Sequence, residues 1–340
     1  MNQKNQAEIR RYLNVIKRAS AYIESLLEDD GGLLEQMVEL EKPKVASIVV
    51  EPKKENTVIV PVNIVETPKI VINEVDLKKQ EMERKKHIQD LLAIDCWPES
   101  ISSELAQRVP TEQDQIHRAN AVLDSMLDRS VDGEKFLDYG CGEAWIAQQI
   151  LKKGVSESWA YDPQENANWK NIKNVKTCSS LDKLPVGNYF DVIMLYDVLD
   201  HCDDPIKLMA HVKNCLNPNG TVYVRCHPWT SKHATHLFKY GINKAYFHLF
   251  LNWDEIKELI KTEPMFTRPE KNPIEAYHWW FKDFEIKREK PISEKVTDFF
   301  HVQSFKELLA NEQQIPLEEI DNFLKKMEIQ FVNYVLTPKK

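Results

Sequence analysis

Apolar residues follow three different rhythms along the chain. Between residues 8 and 27, Ile9, Ile16 and Ile23 recur every seven positions, with Tyr12, Ala19 and Leu26 at the complementary places. That spacing predicts a helix with a single apolar seam, ended by Gly31-Gly32. The seam suits a helix packed on its own domain, or a short coiled coil through which the chain self-associates or docks. From residue 45 to 75 the runs VASIVV, TVIVPVNIV and KIVINEV are rich in β-branched residues and broken by Pro52, Pro61 and Pro68. Such runs favour extended backbone, and the prolines restrict it to edges or linkers. Asp76 is then expected to cap a charged helix that runs to about Ile94 and ends on Leu91, Leu92 and Ile94.

From about residue 100 the pattern alternates between strands and helices, as in an α/β protein with a parallel sheet covered by helices. A helix is expected over roughly 111–129, followed by the strand KFLDYG and the helix AWIAQQILKKG. The strands SWAYD and FDVIMLYD, the helix DPIKLMAHVKNCL and the strand TVYVRCH come next, and KMEIQFVNYVLTPKK closes the chain with a helix end and a last strand. The change of rhythm predicts two parts: an accessory or docking region over 1–95 and an α/β domain over 96–340.

One turn in that alternation stands out. The chain has nine glycines, and two of them, Gly140 and Gly142, follow the strand containing Asp138. A glycine-rich turn between strand and helix lets backbone approach a ligand where a Cβ would intrude. A dinucleotide fingerprint needs a third glycine where Trp145 stands, which disfavours a dehydrogenase. Asp162 ends the next strand, where a carboxylate can accept from both hydroxyls of a ribose. SSLDKLP, FDVIMLYDVLDHCDDP and LNPNGTVYVR follow in order. Over residues 110–340 this series resembles the class I S-adenosylmethionine (SAM)-dependent methyltransferases, especially their small-molecule type.

The resemblance implies a doubly wound, Rossmann-like, mostly parallel seven-stranded sheet and SAM as cofactor. It places Asp138, Gly140 and Gly142 around the methionine part of SAM, Asp162 on the ribose, Ser180 and Leu181 beside the adenine, and Tyr196 and Asp197 under the sulfonium. Ala144 stands where a third glycine is common, and Ser180 where an acid is usual. His201 matches a histidine frequent in turns of this kind. It and His227 are the expected catalytic bases on the acceptor side, because a hydroxyl nucleophile gains from a base near neutral pKa.

Composition narrows the reading further. A net charge of −8 repels phosphate overall, which favours a small-molecule acceptor over nucleic acid. Six cysteines without a repeating spacing suggest reduced thiols and a cytoplasmic protein. No apolar run approaches a membrane span. The stretch from Cys226 to His248 is rich in His227, His233, His236 and His248 and is expected to cover the substrate. His233 and His236 are three apart, yet no CxxC or His-x-Glu-x-His accompanies them, so no metal is expected. The aromatic run YHWWFKDFEI fits core or an interface better than a substrate wall. Two further readings remain: a binding or structural protein of a larger, for example viral, assembly that keeps the fold, and a methyltransferase acting on protein or nucleic acid.

Overall fold

A computed structural model describes residues 74–262 and 274–340. The heptad seam over 8–27 and nearly all of the Val/Ile-rich stretch lie outside the described residues. Backbone contacts divide the chain between Cys96 and Trp97. On the N-terminal side of that division the described residues form one long helix, α1 (Glu74–Leu92). Asp76, expected as its cap, lies inside it. Exposed pairs such as Lys85 with Glu81 support α1 at i,i+4 spacing and contribute only a few tenths of a kcal/mol each, roughly.

On the other side, α2 (Ser103–Gln107) and α3 (Glu112–Met126) lead into the sheet. Thr111 starts α3 through a capping box with Asp114. The strands are β1 (Lys135–Tyr139), β2 (Glu157–Tyr161), β3 (Lys176–Cys178), β4 (Phe190–Tyr196), β5 (Leu216–Cys226), β6 (Phe284–Ser293) and β7 (Ile329–Pro338). The helices between them are α4 (Trp145–Gln149), α5 (Pro205–Cys215), α6 (Trp253–Ile260), α7 (Ile274–Trp280), α8 (Gln303–Gln313) and α9 (Ile320–Met327). The seven-stranded sheet has the order β3-β2-β1-β4-β5-β7-β6. The first five strands pair in parallel, and β7 runs antiparallel to both β5 and β6.

Side-chain alternation assigns each face of this sheet its own core. Leu137, Ile193, Leu195, Val222 and Val224 pack into one cluster, while Phe136, Val192, Met194 and Tyr223 pack into the other. Both faces are covered, so the central strands read as continuous apolar runs, as parallel strands do. A third apolar centre lies around Trp97. Its indole Nε1 donates to the Ala245 carbonyl at 2.8 Å, and Phe247, Phe250 and Phe299 surround its ring at centroid distances of 5.1–5.3 Å. Phe300 and Phe305 complete the ring of neighbours.

Several elements differ from the expectations. The helix after the glycine turn is only α4 plus a 3-10 turn over Ile150–Lys153, closed by Gly154 at φ +88°. β3 and β6 were not anticipated. The aromatic run spans the end of α7 and the start of β6: Tyr277, Trp280, Phe281 and Phe284 are core, whereas Trp279 is 61% exposed. Among the described residues, no helix is long and apolar enough to cross a membrane.

The Trp97 cluster yields a stability prediction. Trp97→Ala removes a 5%-exposed indole from five aromatic neighbours and leaves the Ala245 carbonyl without its donor. The expected loss in denaturant unfolding is about 3–5 kcal/mol. A loss below about 1 kcal/mol would show that the cluster closes over the gap.

Candidate active site

The turn after β1 is built from backbone that ordinary residues resist. Gly140 (φ +81°), Gly142 (φ +49°) and Ala144 (φ +65°) are all left-handed. A Cβ on Gly140 would lie 2.5 Å from Val198 Cγ2, so both conformation and space demand glycine there. A Cβ on Gly142 would meet nothing within 4 Å, so that side of the turn faces open space. Ala144 is fully buried in a cluster with Ala147, Ala160 and Trp169, which accounts for a small residue at the expected third glycine. The amides of Gly140 and Cys141 both donate to the Tyr161 carbonyl, at 2.7 and 2.9 Å.

Two carboxylates frame this turn. Asp162 Oδ2 accepts from the Gly142 amide at 2.9 Å, and its Oδ1 accepts from the Gln164 amide at 2.9 Å. Asp162 thus fixes the glycine turn to the end of β2. Asp138 is 1% exposed, and its Oδ2 has no hydrogen-bond partner. Burial pushes its pKa up to about 7; the Ala147 amide opposes this and the Asp162 charge adds to it. An orphaned, buried carboxyl oxygen at a cavity wall is a place for a ligand donor.

A cavity of about 440 Å³ opens where the strand order reverses between β1 and β4. Asp138, Gly140, Cys141, Gly142 and Glu143 form one side, Tyr196 and Asp197 the β4 side, and Gln115 and Arg118 of α3 the top, with Lys239 reaching in from the segment after β5. Of the residues singled out in the sequence, the structure brings Asp138, Gly140, Gly142, Tyr196 and Asp197 together on this cavity. Asp162 stands just behind it on Gly142. Ser180 and Leu181 do not line it. The Ser180 hydroxyl bonds to Asp182, and Leu181 is 42% exposed.

Asp197 is itself left-handed, at φ +55°, a strained state for a residue with a side chain. Its Oδ1 lies 3.1 Å from His227 Nε2. His227 Nδ1 lies 3.0 Å from the Gln330 carbonyl. A carbonyl can only accept, so Nδ1 bears a proton, and a carboxylate facing Nε2 favours a second. Burial opposes the charge on His227, but Asp197 and then Asp200 outweigh it, and the pKa is raised. Asp197 is held below its usual range, because the charge and hydrogen bond of His227 outweigh the opposing effect of burial.

The remaining histidines lie close by. His201 Nε2 is 3.5 Å from Asp200 Oδ2, and its ring stacks on His236 at 5.5 Å. Burial pushes Asp200 up, partly offset by His201 and His227. Burial lowers His233 to about 4 and His236 to about 3, with neighbouring positive charge adding to the shift, so both rings are neutral near pH 7. His248 is buried with Nε2 2.7 Å from the Trp229 carbonyl, and burial lowers it to about 4. His248 is therefore a structural histidine. Neither His201 nor His227 lines the cavity. Among the described residues, no group of three or more His, Cys, Asp or Glu is placed to hold a metal ion.

Gln115, Arg118, Glu143 and Lys239 are among the cavity residues that escaped the sequence reading. The first two had a signal, since Gln115, Arg118, Ala119 and Val122 share one face of α3 by spacing. Lys239 had none. It sits in a 3-10 turn that starts from a left-handed His236.

A family model described as a methyltransferase domain matches residues 111–311, more than half of the chain. The ubiquinone biosynthesis O-methyltransferase of Parvibaculum lavamentivorans is 24% identical over 110 residues, which are 30% of this chain and 44% of that protein. The tRNA U34 carboxymethyltransferase of Campylobacter curvus is 28% identical over 104 residues, 28% of this chain and 35% of that protein. The chain thus spans about half, or less, of the length of these curated relatives. A solved SAM-dependent methyltransferase from Mesorhizobium loti aligns over 64% of this chain and 95% of its own, at 16% identity and a TM-score of 0.40. The strand order, the glycine turn at its reversal and the match over residues 111–311 agree: the chain belongs to the methyltransferase family, with the class I, SAM-dependent fold.

Proposed function

We propose that the protein transfers a methyl group from SAM to a small-molecule acceptor, and that it works in the cytoplasm. The observation behind this reading is the turn at Gly140–Gly142, open on its ligand side and tied by Asp162. The residues fit the cofactor. The Gly142 side leaves room for backbone approach, Asp138 Oδ2 awaits a donor, and a cavity of about 440 Å³ lies in the range of small-molecule sites. SAM, when bound, supplies a methyl on a positively charged sulfur. Asp162 has lone pairs left for ribose hydroxyls, and Asp138 and Glu143 place negative charge beside an ammonium.

The chain's own contribution to the chemistry is chiefly positioning, with reactants held in line in a confined site. Asp197, fixed by His227, sets a carboxylate at the end of β4. With both ring nitrogens facing acceptors, His227 acts as the counter-ion of Asp197 and not as a base. His201, 27% exposed, lies outside the cavity lining and would serve as the base only for a hydroxyl acceptor that extends towards it. Residues 1–95 serve docking or self-association in this reading. A protein with net charge −8 is a poor match for a polynucleotide acceptor.

Two measurements bear on this. In calorimetric titration the wild type should bind SAM, and Asp162→Asn, which keeps only one of the two acceptor oxygens, should weaken binding about tenfold or more, by ~1.5–3 kcal/mol, while the variant remains folded with a lowered melting temperature. Absence of heat at millimolar SAM would remove the enzyme reading.

The second concerns pH. His227 has a raised pKa in the folded state, so its pairing stabilises the fold fully below its unfolded value of about 6.5 and is lost as pH rises through the folded value. The melting-temperature advantage of wild type over His227→Gln should therefore shrink between about pH 6 and about pH 9. A constant difference across that range would mean the ring is neutral in the pair.

A further inference from the structure

Charge is divided unevenly around the cavity. The glycine-turn side is acidic, with Asp138, Glu143 and, just behind, Asp162. The β4 side is cationic. The Arg118 guanidinium lies 5.6 Å over the Tyr196 ring, and Arg225 lies 5.0 Å over the same ring. Arg225 is buried and committed to Asn333, 2.8 Å from its Nε. Lys239 lines the cavity near Arg118 and Asp197, and both charges act on it. Asp197 faces these cations, and Asp200 lies behind the pair that Asp197 makes with His227. Asp197 is matched by His227 at 3.1 Å, and Asp200 is pushed towards its neutral form by burial. Among the described residues, no carboxylate lies within ion-pair distance of Arg118 or Lys239.

The cofactor does not supply the missing negative charge. SAM brings one carboxylate together with an ammonium and a sulfonium, so it is net cationic. Placed in the cavity, it can satisfy one of the two cations and adds positive charge nearby. The β4 side is then left with an excess of positive charge that attracts a second anion. Such a local excess is notable in a chain of net charge −8. Lys239 lines the cavity from the segment expected to cover the acceptor.

We propose that the acceptor carries an anionic group, a carboxylate or a phosphate, that docks between Lys239 and Arg118 at the end of β4. This makes Lys239 a determinant of substrate class. Its rotatable ammonium suits a point anion, and the planar Arg118 fork suits two oxygens of the same group. The anion would anchor the acceptor beside Tyr196 and leave its nucleophilic atom directed towards the donated methyl. The proposal rests on the methyl-transfer reading for the identity of the ligand, but the anion site itself can be examined separately.

The probes are inorganic phosphate and malonate, titrated calorimetrically into the full chain with and without saturating S-adenosylhomocysteine. Wild type should bind at least one of them, and Lys239→Gln and Arg118→Gln should each weaken it about tenfold. Lys239→Gln should cost SAM affinity far less than anion affinity. Both side chains are exposed, so neither variant should impair folding. If neither anion binds the wild type, or if both variants bind as it does, the proposal is overturned. It is equally overturned if Lys239→Gln weakens SAM as much as the anion, because Lys239 would then serve the cofactor's carboxylate. If phosphate binds and SAM does not, the anion site stands and the methyl-transfer reading falls.

Discussion

The site depends on the amide of Gly142 donating to the carboxylate of Asp162. That bond joins the turn after β1 to the end of β2, and the Tyr161 carbonyl reinforces it by accepting from Gly140 and Cys141. Of the three left-handed residues of the turn, Ala144 is the costly one, and this network keeps the turn in place. Val198 presses on Gly140 from the far side of the strand-order reversal, so the turn is fixed from both β2 and β4. A ligand therefore meets a rigid frame whose open face is backbone.

The two walls of the cavity are built on different principles. The glycine-turn wall is assembled within one strand–helix–strand unit, with Asp162 only 20 positions from the Gly142 amide. The β4 wall is assembled from distant pieces. Asp197 follows β4, His227 follows β5, Gln330 lies on β7 and Arg118 on α3. A local wall suits a cofactor shared by a whole family, and a composite wall suits an acceptor that differs between members. Changes in any of several loops can reshape the second without disturbing the first.

That difference also sets what the sequence reveals. Asp138, Gly140, Gly142 and Asp162 were legible because a period-two apolar run ended on an acid and two scarce glycines. The central strands were legible because burial on both faces makes them continuously apolar. β3 escaped because KTC is three residues long, and β6 because FEIKREKPIS, at the sheet edge, is largely exposed and charged. The partners of His227 were hidden from the sequence. Its neighbour Gln330 is 103 positions away, and no local pattern shows that its carbonyl will hold Nδ1. Lys239 is placed by a left-handed turn at a non-glycine residue, which propensity does not anticipate.

The position of β7 has a consequence for how the chain comes to be folded. It is inserted between β5 and β6, antiparallel to both, and it follows both of them among the described strands. During synthesis β1 to β5 emerge first and can pair among themselves, but β5 keeps an unpaired edge until residues 329–338 leave the ribosome. That edge bears Val222, Val224 and Cys226, an apolar template open to any extended segment nearby. β6 cannot close it first, because its partner in the sheet is β7 alone. Sheet completion is therefore a late event. A chain halted before residues 329–338 emerge would have its apolar centre assembled and one adhesive edge exposed.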